Sequence, residues 1–274
     1  MRKLFSQLVL AGGVLLCGGA SQNAIAETTW QAIKPSIFQD RVIHLARDIV
    51  ELSAPYRAKD DRTIPISLKS KVAGTRSIKS VTFVADDNPM PVIGVFKLAD
   101  GMSKFNVAMN IRLDGTSMVR AVVETNDGAL YMTEKRVKTS GQGACASPPV
   151  SDLDLIDETI GQMTFTDVKT TATKNGFTSL SRRGRLKLSH PNLTGLQMNQ
   201  ITLQHIPARY INKLNVFQGD RELFSLESGI TLSENPEIEF DYRLDGSTEL
   251  TVKAIDTKGT EFKSSFPLPL SPSS

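Results

Sequence analysis

The sequence is poor in cysteine and aromatic residues and has no long apolar segment beyond its first residues. Aromatic residues make up 6% of the chain and its Lys and Arg residues are scattered, whereas nucleic-acid binding uses basic clusters interleaved with stacking rings. No later stretch approaches the roughly 20 apolar residues that span a bilayer. These absences argue against nucleic acid and membrane as partners.

The motifs of self-sufficient enzymes are missing as well. The sequence contains no Gly-rich phosphate loop, no nucleophile elbow around a serine and no HExxH. His44, His190 and His205 lie far apart, and none has a second ligand at metal-binding spacing. We therefore expect no catalytic residue, no metal and no other cofactor, and the protein is not predicted to be an enzyme.

The first 26 residues are typical of a secretory signal. Arg2 and Lys3 precede an apolar run over residues 8–17, and Ala24-Ile25-Ala26 is the small-x-small pattern that signal peptidase cleaves. We expect a mature chain that starts at Glu27 and works in the periplasm. The formal charge of +3 falls to +1 when Arg2 and Lys3 are removed, which leaves no broad attraction for polyanions.

The same cleavage leaves a single thiol. Of the two cysteines, Cys17 leaves with the signal, so Cys145 cannot form an internal disulfide. A lone cysteine in an oxidising compartment indicates either an intermolecular bond or a reactive thiol. A disulfide-linked dimer through Cys145 is one expectation, and a free cysteine without a role is the alternative.

The period of the apolar residues divides the rest of the chain. Between residues 36 and 52 the apolar positions recur at steps of four and three, which predicts a short N-terminal docking helix: Phe38, Val42, Leu45, Ile49 and Leu52. From about residue 62 to 138, and again over 166–274, the period is two and turn signals are frequent, so each region is predicted to be a β-sandwich. Residues 27–138 form the first predicted domain and 166–274 the second.

The predicted linker covers residues 139–165 and contains the cysteine. Residues 139–149 read TSGQGACASPP, which are small, polar and structure-breaking types without an apolar anchor. The small neighbours Gly143, Ala144, Ala146 and Ser147 are expected to leave the sulfur exposed on a flexible arm. Lys135, Arg136 and Lys138 lie near enough in sequence to favour the thiolate.

Several stretches resemble a known carrier. The first half is similar to SoxY, the thiol subunit of the sulfur-oxidation carrier, at Asn88-Pro89-Met90-Pro91, Phe96-Lys97-Leu98, Val119-Arg120-Ala121-Val122-Val123, Leu130-Tyr131 and Gly143-Ala144-Cys145-Ala146. The second half resembles SoxZ at Leu188-Ser189-His190-Pro191, Thr194-Gly195, Ile206-Pro207-Ala208-Arg209-Tyr210-Ile211, Ser233-Glu234-Asn235-Pro236 and Asp256-Thr257-Lys258-Gly259. A fusion in this order resembles the SoxYZ-like carriers associated with quinoprotein (PQQ-dependent) dehydrogenases.

The resemblance implies an all-β protein of two immunoglobulin-like sandwiches with the cysteine-bearing arm between them. It also implies that Cys145 carries a sulfur intermediate as a covalent adduct to periplasmic redox enzymes, as in thiosulfate oxidation. The family arm is usually GGCGG at a free chain end, whereas GACAS here lies between two domains, so the arm should be stiffer.

Two functions compete at this point. In the first, Cys145 bears a thiol-linked group while partner enzymes of the Sox type, or a quinoprotein dehydrogenase and its cytochrome, perform the redox chemistry. In the second, the protein is a non-catalytic adapter that docks on such a dehydrogenase, and the cysteine is incidental. An independent thiol enzyme is disfavoured because the arm contains no histidine partner.

Overall fold

The computed structural model describes residues 21–141, 143–149, 158–168 and 181–269. The described elements are α1 (Ser21–Phe38), β1 (Ile43–Leu45), β2 (Val50–Ser53), β3 (Ile64–Lys71), β4 (Ile78–Ala85), β5 (Val92–Leu98), β6 (Lys104–Ile111), β7 (Ser117–Thr125), β8 (Leu130–Val137), β9 (Met163–Val168), β10 (Ser181–Leu188), β11 (Ile211–Gln218), β12 (Arg221–Ser228), β13 (Glu237–Arg243), β14 (Glu249–Asp256) and β15 (Glu261–Pro267). Over these residues, no helix combines the length and apolar character that crossing a membrane requires.

The prediction of an all-β, sandwich-like fold with a short N-terminal helix is confirmed. Strand residues alternate between buried and exposed, as in β3 and β6, because successive side chains point to opposite faces of a sheet. The strands form two sheets, with the orders β1-β8-β7-β4-β5-β12-β11-β14-β15 and β2-β3-β6-β13-β10-β9.

Both sheets run through both halves of the chain, a feature that the sequence pattern did not indicate. Strand β5 pairs with β12, and β6 pairs with β13, each antiparallel. The halves are therefore hydrogen-bonded edge to edge in each layer, and neither half has a free edge at the junction. Gly94 permits the close approach of β5 and β12, because a Cβ there would lie 2.9 Å from Leu226 Cδ1 and 3.2 Å from the Glu227 carbonyl.

One apolar core crosses the junction. Phe224 on β12 lies 5.6 Å from Phe96 and 5.9 Å from Phe105, measured between ring centroids, and 5.1 Å from Phe240. The first two partners belong to the first half and Phe240 to the second. Offset and edge-to-face contacts at these distances are favourable, so the rings bind the halves together beyond their burial alone.

The predicted helix over residues 36–52 is wrong. Helix α1 ends at Phe38, and the segment that follows forms β1, which pairs in parallel with β8, and β2, which pairs with β3. In β2, Val50 and Leu52 are buried while Glu51 and Ser53 are exposed, which is a period of two. Pairing with distant strands outweighs the local helical spacing, and Val42 and Leu45 of the supposed stripe are 70% and 74% exposed.

The predicted signal and linker stay predictions, because much of both lies outside the described residues. Residues 1–20 lie outside them, and α1 starts at Ser21, so cleavage after Ala26 stays a prediction. Residues 150–157 of the predicted linker also lie outside the description. The linker's last residues, 163–165, belong to β9, which pairs with β10 in the second sheet.

A shared core predicts one cooperative unfolding transition. Leu226→Ala in the second half should lower the free energy of unfolding by about 2–5 kcal/mol, because it empties a buried site at the junction. The shift should be equal by far-UV circular dichroism and by fluorescence of Trp30, the single tryptophan, which packs in the first half. Leu203→Ala, at a side chain that is 70% exposed, is the matched control. An unchanged Trp30 transition in Leu226→Ala would show that the halves unfold independently.

Candidate functional site

Cys145 lies in a tight turn over residues 143–147. The carbonyl oxygen of Gly143 accepts hydrogen bonds from the backbone N–H groups of Ala146 and Ser147, at 3.0 and 3.1 Å, and from the Ser147 hydroxyl at 3.2 Å. Gly143 has a φ of +67°, a conformation that glycine adopts without strain. The turn therefore folds the chain back on itself directly beside the cysteine.

The prediction that the sulfur is exposed is wrong for this conformation, whereas its mobility stays a prediction. Cys145 is 0% exposed and Ala144 is 3% exposed. Small residues beside a cysteine can leave its sulfur exposed, but they also let the turn pack closely against its surroundings, as they do here. In this conformation no thiol of a second chain can reach Cys145, so a disulfide-linked dimer requires the turn to open.

Each half of the protein supplies one side chain that holds the main chain of Cys145. Asp114 Oδ1, which follows β6 in the first half, accepts the N–H of Cys145 at 3.1 Å. Thr194 Oγ1, which follows β10 in the second half, donates to the Cys145 carbonyl at 2.6 Å. We call this pair of contacts the clamp. Both contacts are made to the backbone of Cys145, and Asp114 also acts on the thiol itself through a hydrogen bond and its negative charge.

A buried polar network supports the Asp114 side of the clamp. The N–H of Asp114 donates to Asn88 Oδ1 at 3.0 Å. Asn88 Nδ2 in turn donates to the Arg112 carbonyl at 2.9 Å and to Thr231 Oγ1 at 3.2 Å. Because Thr231 belongs to the second half, Asn88 ties both halves to the loop that carries Asp114.

The Thr194 side is fixed by its own loop. The N–H of Thr194 donates to Gln197 Oε1 at 3.0 Å, and the N–H of Leu196 donates to Thr194 Oγ1 at 3.1 Å. The Thr194 hydroxyl thus accepts one hydrogen bond and uses its own proton for the Cys145 carbonyl. This arrangement orients the hydroxyl, so little rotational freedom remains to be lost when the clamp closes.

Arg112 places a buried cation near the thiol. Its Nη2 donates to the carbonyls of Asn192, at 2.9 Å, and Leu232, at 3.1 Å, and its Nε has no hydrogen-bond partner among the described residues. Burial lowers the pKa of Arg112, while the charges of Cys145 and Glu234 oppose that shift. Arg112 is the cation that acts on the thiol, in place of the predicted Lys135, Arg136 and Lys138.

The environment keeps the thiol protonated. The pKa of Cys145 is raised from 9.0 to about 12, first by burial and then by the negative charge of Asp114, with Arg112 acting in the opposite direction. At neutral pH about one such thiol in 100,000 is ionised, and the thiolate is the nucleophilic form. The closed site is therefore chemically inert, contrary to the predicted activation.

The outer side of the turn faces an open cavity. Ala144 and Ser147, which flank the cysteine, line a cavity of about 570 Å³ together with Asp61, Arg62 and Ser140. Asp61 Oδ2 accepts hydrogen bonds from the N–H of Ser140, at 2.8 Å, and from its hydroxyl. The residues on either side of Cys145 thus separate its buried thiol from this cavity.

The histidines take no part in this arrangement. His190 is buried, with Nδ1 2.8 Å from Asn192 Oδ1 and Nε2 3.6 Å from Asp256 Oδ2. Burial lowers the pKa of His190, which keeps it neutral, and His44 and His205 are exposed. Within the described ranges, no three His, Cys, Asp or Glu side chains are grouped as ligands of one metal ion.

Sequence reasoning missed the residues that hold the cysteine. Asp114 and Arg112 received no role in the site. Asn88 and Thr194 lie within the stretches that resemble SoxY and SoxZ, but nothing in those stretches showed that they meet at residue 145. The separations in sequence, 31 residues for Asp114 and 49 for Thr194, make such contacts invisible to a local pattern.

Each half of the chain matches a known protein family. The family model of the sulfur oxidation protein SoxY matches residues 34–145, and that of the sulphur oxidation protein SoxZ matches residues 179–267. No curated protein sequence matches the chain.

Among solved structures, the sulfur carrier protein SoxY from Chlorobium limicola f thiosulfatophilum is 18% identical, with a TM-score of 0.36, over 42% of this chain and 98% of that one. Superoxide reductase (neelaredoxin) from Ignicoccus hospitalis is 18% identical, with a TM-score of 0.27, over 34% and 80%. TM-scores this low support no conclusion about this chain. The two family matches identify a SoxY domain followed by a SoxZ domain in one polypeptide. The chain therefore belongs to the SoxYZ-like sulfur carriers of sulfur oxidation.

Proposed function

We propose that the protein is a periplasmic covalent carrier that holds a sulfur-containing intermediate on Cys145 and presents it to partner enzymes. The observation that carries this proposal is the clamp, because side chains of both halves hold the backbone of Cys145 while its sulfur is in no disulfide. The SoxY match also extends to Cys145, its last residue.

The carrier works by opening the turn. A hydrogen bond contributes about 0.5–1.5 kcal/mol net, or about 1.5–3 kcal/mol when one partner is charged, as Asp114 is. Breaking the two clamp contacts therefore costs a few kcal/mol, which leaves a minor open population at equilibrium. In the open turn the pKa of Cys145 returns toward 9.0 from about 12, which raises the thiolate fraction about 1,000-fold.

Loading then takes place by exchange at sulfur. The Cys145 thiolate attacks a sulfur–sulfur bond held by the partner, the bond between Sγ and the cargo sulfur forms, and the partner's other sulfur leaves as a thiolate. Electrons balance within this exchange, so any net oxidation of the cargo belongs to the partner enzymes. Sox-type enzymes, or a quinoprotein dehydrogenase with its cytochrome, are the partners that we propose.

Burial of the thiol favours a second candidate function. If the turn never opens, the protein is an adapter that docks on a periplasmic PQQ-dependent dehydrogenase system, and Cys145 is an inert core residue. The raised pKa and full burial of Cys145 are what this alternative predicts. The two functions differ in one property, which is whether Cys145 carries an adduct in the cell.

Intact-protein mass spectrometry tests the carrier directly. Protein taken from the periplasm of cells grown on thiosulfate should carry a mass addition that peptide mapping assigns to Cys145. Cys145→Ser should lack the addition and lose carrier activity in cells, because serine keeps the shape but not the nucleophile. Unmodified thiol under every growth condition, together with full activity of Cys145→Ser, would establish the adapter instead.

Thr194→Val tests the clamp. Valine keeps the shape of threonine but removes the hydroxyl that donates to the Cys145 carbonyl, so the turn should open more often. The rate of iodoacetamide labelling of Cys145 in the folded protein should rise about 3–10-fold, which corresponds to one lost hydrogen bond. Thr194→Ser, which retains the hydroxyl, is the control and should label at nearly the wild-type rate. Equal rates in all three proteins would mean that Thr194 does not limit opening.

Alkaline pH should destabilise the folded protein through Cys145. The pKa of this thiol is higher in the folded than in the unfolded state. The protonated thiol therefore contributes its full share to the free energy of unfolding below pH 9, and this contribution is lost as the pH rises toward 12. Between pH 8 and pH 10 the free energy of unfolding should fall by about 1 kcal/mol more in the wild type than in Cys145→Ser, because a serine at position 145 does not titrate in this range. Denaturant titrations at both pH values measure the difference. Parallel pH dependence in the two proteins would contradict a protonated, buried thiol.

A further inference from the structure

A hairpin projects from the second half directly after the residue that clamps the cysteine. We call residues 193–209 the finger. Its base is closed by two hydrogen bonds between the backbones of Leu193 and Arg209, at 2.7 and 3.0 Å, and its middle by the N–H of Ile206 donating to the Gln197 carbonyl at 2.8 Å. The finger is therefore an ordered projection and not a loose connection.

Hydrogen bonds hold the backbone of the finger's tip in place, while the apolar side chains of the tip are exposed to solvent. Asn199 Oδ1 accepts the N–H groups of Ile201 and Thr202, each at 2.9 Å, and Leu203 adopts a φ of +56°. Ile201 is 92% exposed and Leu203 is 70% exposed. A tip fixed by its own hydrogen bonds presents these two side chains with little ordering entropy left to lose on binding.

The finger carries no charged residue before Arg209, the last residue of its base. Residues 188–208 contain no Asp, Glu, Lys or Arg, although charged residues make up 22% of the chain. Interface centres are depleted in charge in the same way. A surface of this kind matches an apolar, uncharged pocket, because burying a charge of the partner against it would leave that charge without compensation.

Thr194 connects the finger to the thiol. It lies at the finger's base and donates to the Cys145 carbonyl, while Gln197 of the finger holds its N–H. Seven residues separate Thr194 from Ile201, so the tip lies within about 25 Å of the clamp. A protein that binds the tip is thus placed beside the turn, and a small displacement of the finger acts on the clamp itself.

We propose that the finger docks in an apolar, uncharged pocket of the enzyme that exchanges cargo with Cys145. This inference rests on the proposed carrier function and identifies the surface by which the partner finds the thiol. Two aliphatic side chains are far too small for the roughly 1,200 Å² that a stable interface buries, so they suit a contact that must form and release in each cycle and not a permanent dimer. A membrane surface is disfavoured, because anionic lipid attracts Lys and Arg and residues 188–208 have neither.

The test combines two double variants with the mass of Cys145 in the cell. Ile201→Ser with Leu203→Ser removes the apolar tip. Val42→Ser with Leu45→Ser removes two aliphatic side chains that are 70% and 74% exposed, one beside β1 and one at its end, and is the matched control. Cells growing on thiosulfate express each protein, and the adduct fraction on Cys145 is measured by intact mass. Iodoacetamide labelling of the purified proteins reports whether the turn opens as in the wild type.

The finger variant should lose at least about 10-fold in adduct fraction, as expected for the loss of two anchor side chains, while its iodoacetamide labelling rate stays at the wild-type value. The control variant should keep the wild-type adduct fraction. An undiminished adduct in the finger variant, or an equal loss in both variants, overturns the docking surface and leaves the carrier intact. Absence of any adduct on the wild type overturns the carrier itself.

Two further measurements exclude the other occupants. Wild-type protein should sediment as a monomer and should not float with phosphatidylethanolamine–phosphatidylglycerol vesicles. Dimerisation, or flotation, that is lost in Ile201→Ser with Leu203→Ser would assign the tip to a second copy or to lipid, and would overturn the proposal.

Discussion

The pairing of β5 with β12 and of β6 with β13 is the constraint on which the site depends. Asp114 follows β6, and Thr194 follows β10, which itself pairs with β13. Because both loops leave strands of one continuous sheet, with only β13 between β6 and β10, their positions relative to each other are fixed by strand register. Two halves joined only through a linker could not hold the backbone of Cys145 from both sides at separations of about 3 Å.

Closure of the turn reconciles two opposing demands on a single thiol. An exposed cysteine in an oxidising compartment is open to oxidation and to stray disulfides, whereas a carrier needs a nucleophile. Burial, with a pKa of about 12, protects the thiol from oxidation. The clamp consists of only two hydrogen bonds from side chains to the Cys145 backbone, so the proposed opening that exposes the nucleophile breaks few contacts. The network through Asn88 and Thr231 keeps the surroundings of the turn in place when the turn itself moves, so opening need not disturb the core.

Much of the fold was predictable from the sequence, because half-buried strands show themselves in every second residue. The regions predicted to have a period of two contain β3 and β13, in which Ile64, Ile66 and Leu68, and Phe240 and Tyr242, are the buried alternate residues. The segment over residues 36–52 failed, since Ile49 and Leu52 fit a helical spacing as well as a short strand, and only the distant partner β3 decides between them. The pairing between the two halves could not be predicted from the sequence, because backbone hydrogen bonds at a sheet edge do not require particular side chains. Burial of Cys145 was missed for the same reason, as its contacts come from residues far along the chain.

Tethering at both ends determines what kind of opening the arm can perform. A chain end swings freely, but residues 143–147 lie between β8 and β9 in the chain, so folded strands stand on both sides of the turn in sequence. Gly143, at a φ of +67°, is the residue of the turn that can rotate most freely, whereas Ala144 carries a buried methyl group that must enter water when the turn opens. Exposing that methyl group costs about 0.8 kcal/mol beyond the clamp itself. In the proposed carrier, alanine beside the cysteine therefore shifts the equilibrium toward the closed state, and access to the thiol depends on a partner that stabilises the open state.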